Sequence, residues 1–109
     1  MWMVRPALMC NRHLLGEHVE LHMLVSTINS GKSIRGYLEG LVDPGLIQSR
    51  HDDIVSEMRL RNMNHHSPIA AVTIPCPQAK AIIEADNIKE LARRCQACAV
   101  LTADINAPD

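Results

Sequence analysis

Between Asn11 and Gly31 the residues Leu14, His18, Leu21, Val25 and Ile28 recur at alternating intervals of four and three. That spacing puts all five on one stripe of an α-helix. Asn11 is placed to cap its N-terminus, and Gly31 to stop it two residues after Asn29. The stripe needs a partner of similar texture. The chain has one Trp, one Tyr and no Phe in 109 residues, so its core must come from Leu, Ile, Val, Met and Ala. Such side chains suit helix packing better than a sheet built on aromatic pairs. The expected fold is all-α, a compact single domain of three to four helices spanning residues 1–109.

The remaining elements follow from local chemistry. Residues 1–10 are mainly apolar and read as an ordered arm. Gly31 to Tyr37 is turn-rich. Asp43-Pro44 combines a capping side chain with Pro at the first helical position, so a second helix should run to about Arg61 with Ile47, Ile54, Val55 and Met58 inward. Asn62 to Pro68 is polar and loop-like. Residues 69–74 suit an isolated extended segment, which Pro75 and Pro77 end. Asp86 is placed to cap a last helix with Ile88, Leu91 and Ala92 inward, and the tail after Leu101 reads as frayed. The expected packing runs through Leu14, Leu21, Val25, Ile28, Ile54 and Met58.

Net charge is −1, with 11 Lys/Arg against 12 Asp/Glu. Such a balance does not advertise a nucleic-acid binder, so any such site must arise from local placement of charge. No apolar run approaches the ~20 residues needed to cross a membrane. Arg5 and Pro6 interrupt the opening apolar residues and no signal-peptide core follows. Four cysteines (Cys10, Cys76, Cys95 and Cys98) are then expected as free thiols in a reducing, cytoplasmic setting.

Two constellations carry possible chemistry. On the first helix His13, Glu17 and Glu20 fall within about 60° of one another, and Gly16 sits mid-helix at a cost of about 1 kcal/mol relative to Ala, as though another group approached there. A solvated amphipathic face is the plain alternative. Metal binding is the rival. His18 and His22 stand at i, i+4, as do His13 and Glu17, but no third ligand follows. Cys95 and Cys98 have zinc spacing yet supply two of four ligands. Cys10 and Cys76 could complete a set without diagnostic spacing, and no βαβ context supports a redox pair. No metal and no cofactor are expected. Gly31-Lys32-Ser33 lacks the rest of a P-loop and reads as a helix stop followed by basic residues.

Three ordered motifs resemble the pyrimidine-dimer DNA glycosylase family of the phage endonuclease V type. They are Arg12-His13-Leu-Leu-Gly-Glu-His-Val-Glu20-Leu, Asn29-Ser-Gly31-Lys32-Ser-Ile-Arg35-Gly-Tyr37, and Arg50-His51 through Glu57-Met58 to Arg61-Asn-Met-Asn64-His-His-Ser67-Pro68. The resemblance covers about residues 12–68. It implies an all-α enzyme that cuts the glycosidic bond at cyclobutane pyrimidine dimers in duplex DNA and nicks the strand by β-elimination, without metal or small-molecule cofactor. The nucleophile it implies is the chain's own α-amine, here that of Met1. The assisting carboxylate is Glu20, and His13 is the active-site histidine. An α-amine titrates at about 7.7–8.0 and a Lys amine at about 10.4, so the former is the readier Schiff-base former near neutral pH. Arg5, Arg12, Lys32, Arg35 and Arg50 are the candidate phosphate contacts.

The chain also departs from that family. Val19 and Met23 stand where the phage enzyme has arginines. The bulk of Trp2 should block removal of Met1, whereas a start at Met3 would let processing expose Val4. The sequence is also short at its C-terminal end relative to the phage enzyme, whose aromatic and basic tail contacts DNA, so contacts of that kind are not expected here. A non-catalytic DNA-binding relative and a metal-binding helical module are therefore the alternative readings.

Overall fold

The computed structural model describes residues 1–64, 67–74, 76 and 78–103. The periodic stripe forms α1 (Asn11–Asn29), which buries Leu14, His18, Leu21, Val25 and Ile28. It packs against α2 (Ile47–Leu60), which buries Ile47, Ile54, Val55 and Met58. Each such aliphatic side chain contributes roughly 1.5–3 kcal/mol on leaving water, so this seam dominates the core. Two further helices, α3 (Glu84–Arg94) and α4 (Gln96–Leu101), pack on each other and close the molecule through Ile88, Leu91 and Cys98. The fold is all-α, and among the described residues no strand forms. No described helix is long and apolar enough to cross a membrane.

The ends of the elements follow local rules, with some corrections. Cys10, not Asn11, precedes the first turn of α1, in extended conformation and without a side-chain cap. The Asn11 side chain accepts a hydrogen bond from Arg61 instead (3.0 Å). Gly31 ends the helix at φ +84°, its N–H reaching the Ile28 carbonyl at 2.9 Å. Asp43 accepts from the Gly45 N–H at 3.0 Å, starting a 3-10 turn at Pro44–Leu46 that leads into α2. α3 begins at Glu84, two residues before the expected cap, so Asp86 lies within its first turn. Both carboxylates there, and Arg93 with Arg94 in the last turn, complement the helix dipole. Cys95 is extended (φ −142°, ψ 117°) and separates α3 from α4.

Among the described residues, 69–74 pair with no strand. The Asn29 side chain substitutes for one: it donates to the Ala71 carbonyl (3.0 Å) and accepts from the Thr73 N–H (2.8 Å). The proline stops at 75 and 77, His65, His66 and the tail from 104 lie outside the described residues.

Candidate active site

The N-terminal arm is fastened at four of its first five residues. The Met1 ammonium donates to Glu20 Oε1 and to the Leu41 carbonyl, both at 3.0 Å. The Trp2 N–H donates to Glu17 Oε1 at 3.1 Å, and Asn87 Nδ2 donates to the Trp2 carbonyl at 2.6 Å. Arg50 Nη1 donates to the Val4 carbonyl at 2.7 Å. The Arg5 N–H reaches Glu84 Oε2 at 2.9 Å. Met3 between them holds φ +52°, a conformation that costs a non-glycine residue roughly 1–3 kcal/mol and persists only where the surroundings impose it. The bonds on either side impose it here.

Beneath the arm lies a buried ion pair. Arg50 and Glu17 are 3% and 2% exposed. The Arg50 Nε donates to Glu17 Oε2, its Nη2 to Glu17 Oε1 at 3.0 Å, and Nη2 also contacts Met9 Sδ at 3.2 Å. Glu17 thus satisfies Arg50 and the Trp2 backbone together. A buried charge pair is tolerable only when its polar atoms are satisfied in this way. Arg50, expected on DNA phosphate, is therefore corrected: its guanidinium is consumed inside the protein.

Glu20 differs from Glu17 in being open to water, its side chain 48% exposed. It lines a cleft of about 270 Å³ together with Met1, Trp2, Tyr37, Asn87 and Arg94. A second cleft of about 540 Å³ lies on its other flank, bordered by Gly16, Val19, Met23, Leu24 and Tyr37. Gly40, at φ +93°, turns the chain where the Leu41 carbonyl must face Met1. The nitrogen that faces Glu20 is that of Met1. Val4 is wholly buried, its carbonyl held by Arg50.

His13 does not line the cleft. Its Nδ1 lies 3.3 Å from Cys10 Sγ and 3.5 Å from Cys98 Sγ, and its ring meets Trp2 edge-on at 6.1 Å between centroids. Its pKa is held below 6.5, first by burial, then by the Arg12 and Arg94 guanidiniums. Arg94 also stands 5.8 Å from the centre of the Trp2 ring. Glu90 binds Arg93 and Arg94, whose hydrogen bonds pull its carboxyl down to about 2.

The expected phosphate contacts scatter. Arg5 pairs with Glu84. Arg12, Lys32 and Arg35 are exposed, and among the described residues none has a carboxylate within ion-pair reach. Arg12 is separated from the other two by the length of α1, roughly 28 Å, so they form no single patch. Among the described residues nothing lies within 4 Å of where a Cβ on Gly16 would stand, so none of them makes the expected close approach.

Sequence reasoning missed the roles of Trp2, Asn87 and Arg94. Glu17 was singled out with His13 and Glu20, but its burial against Arg50 was not foreseen. Asn87 and Arg94 carried none, since helix α3 docks through contacts remote in sequence.

No curated protein and no solved structure matches the chain. A family model does: pyrimidine dimer DNA glycosylase, over residues 1–71. That span holds Met1, Glu17, Glu20 and Arg50, while Asn87 and Arg94 come from beyond it. The chain belongs to the pyrimidine dimer DNA glycosylase family.

Proposed function

We propose that this protein is a DNA-repair glycosylase with AP-lyase activity on cyclobutane pyrimidine dimers, with the α-amine of Met1 as nucleophile and Glu20 as the assisting carboxylate. The observation that carries the reading is the 3.0 Å contact between Met1 N and Glu20 Oε1 at an open cleft. A neutral amine has two N–H bonds and one lone pair. Glu20 and the Leu41 carbonyl hold two of the tetrahedral directions, which leaves the third for the lone pair.

In the proposed sequence the amine attacks the sugar C1′ as the C1′–N glycosidic bond breaks, and the departing base takes a proton. Loss of the amine proton and opening of the sugar ring give an iminium. Glu20 stabilises the cationic sugar and then takes a proton from C2′, and the C3′–O bond breaks with phosphate leaving. Water hydrolyses the iminium and restores the amine. The reaction needs the target nucleotide unstacked, which is least costly at a damaged step. Arg12, Lys32 and Arg35 are the proposed phosphate contacts, with Arg94 at the cleft wall. His13 stands one ring behind that wall, packed on Trp2, and acts on the site through it.

The test compares the protein with Glu20→Gln, which keeps the shape and removes the charge. Nicking of dimer-containing and abasic duplexes should be abolished, while DNA affinity changes little because phosphate contacts supply most of it. Near-normal nicking by the Gln variant would end the assignment. A second reading, a non-catalytic DNA-binding relative, draws on Val19 and Met23, which are 49% and 64% exposed beside Glu20. Binding without nicking by the unaltered protein would select it.

A further inference from the structure

Sequence spacing left the Cys95–Cys98 pair two ligands short of a metal site, and the fold supplies the other two. Cys10 and His13 lie at the first turn of α1, while Cys95 and Cys98 form the corner between α3 and α4. One donor atom from each of the four lies within 4.8 Å of all the others. Cys10 Sγ is 3.9 Å from Cys95 Sγ and 3.3 Å from His13 Nδ1, and Cys98 Sγ is 3.5 Å from that nitrogen. A tetrahedral centre with Zn–S of about 2.3 Å and Zn–N of about 2.0–2.1 Å spaces its sulfurs by about 3.8 Å and sulfur from nitrogen by about 3.5 Å. The observed separations have those dimensions.

We propose that Cys10, His13, Cys95 and Cys98 bind one structural zinc ion in a closed site of three sulfurs and one imidazole nitrogen. All four positions come from protein, so the site is built to hold the fold and leaves no place for a substrate. Binding displaces one proton from each thiol and takes His13 as the neutral ring. Zn²⁺ with three thiolates carries one net negative charge. Arg12 precedes His13 in the first turn of α1 and Arg94 precedes Cys95, so two cations flank the ligand positions in sequence. The outer shell is also in place. The Cys10 N–H donates to Cys98 Sγ at 3.4 Å.

The site joins two parts of the chain. Cys10 and His13 belong to the segment that matches the family model, residues 1–71, and Cys95 and Cys98 lie beyond it. The metal would pin α3 and α4 to the start of α1, next to Trp2 and Arg94 in the cleft wall.

The test is metal content and Co²⁺ spectroscopy on the full chain, reduced and purified without chelator. Elemental analysis should give about one zinc per chain. Co²⁺ should bind with thiolate charge-transfer bands and the intense visible bands of a tetrahedral ion. Cys95→Ser and Cys98→Ser should each lower Co²⁺ affinity by on the order of 100-fold or more, since even outer-shell losses reach that size. Cys76→Ser, outside the cluster, should bind as the unaltered protein does. Failure of the reduced protein to take up Co²⁺ would overturn the proposal, whatever the variants do. So would a Co²⁺ spectrum without thiolate bands, the result expected if the trio His18, His22 and His51 were the binder.

Discussion

Glu17 and Glu20 sit three residues apart on one helix and hold opposite positions. Glu17 faces inward and is wrapped by Arg50 and the Trp2 backbone, while Glu20 faces a cleft and accepts from the arm's terminus. Removing one partner of the buried pair leaves an uncompensated charge in a dry interior. Arg50→Ala should therefore destabilise the protein by about 3–5 kcal/mol, read by chemical denaturation. A loss below about 1 kcal/mol would mean that the pair is hydrated. The clustering of His13, Glu17 and Glu20 on one helix face was legible in the sequence. The division of labour between the carboxylates was not, because it depends on Arg50, thirty-three positions away from Glu17. Arg50 on its own reads as one more basic residue.

The two long helices were the most legible elements. Their apolar spacing predicted the stripe from Leu14 to Ile28 and the inward set on α2, and both are buried. The capping of α1 was less so, since Asn11 is drawn off to Arg61 by a tertiary contact. Gly16 tests whether α1 is shaped for stability or for a ligand. Its surroundings are open, so Gly16→Ala should stabilise the isolated protein by about 1 kcal/mol through helix propensity, seen as a higher Tm. If DNA is what approaches this surface, the same variant should bind duplex DNA more weakly. An unchanged or lower Tm would contradict the propensity argument. The corner at Cys95 escaped prediction because the residues after Arg94 remain good helix formers, and the break comes from an extended Cys95 facing Cys10 and Cys98.

At the scale of the whole molecule, the fold gathers ionisable side chains that sequence leaves far apart. His18 and His22 come from α1 and His51 from α2, with ring centroids 4.7–5.3 Å apart. Burial first, and then the neighbouring His51, lower the His22 pKa below 6.5, against a hydrogen bond to the Ser67 backbone that raises it. The unfolded chain then binds the proton more readily than the folded one. The His22 contribution is full above about pH 6.5 and is lost as pH falls through that value toward the lowered folded pKa, at no more than about 1.4 kcal/mol per pH unit. Tm should fall between about pH 7.5 and 5.5, and more steeply than in His22→Gln. Identical slopes in the two proteins would refute this origin. The near-neutral total charge likewise hid that Arg12, Lys32 and Arg35 stay exposed while Arg50 is buried, since charge totals say nothing of which cations are buried or paired. In the proposed reaction the terminus of the arm is the reactive group beside Glu20. Borohydride trapping on abasic duplex DNA, followed by peptide mass mapping, tests that most directly. The expected product is a covalent adduct on the α-amine of Met1 that disappears when the amine is acetylated. An adduct on a lysine side chain, or none at all, would contradict it.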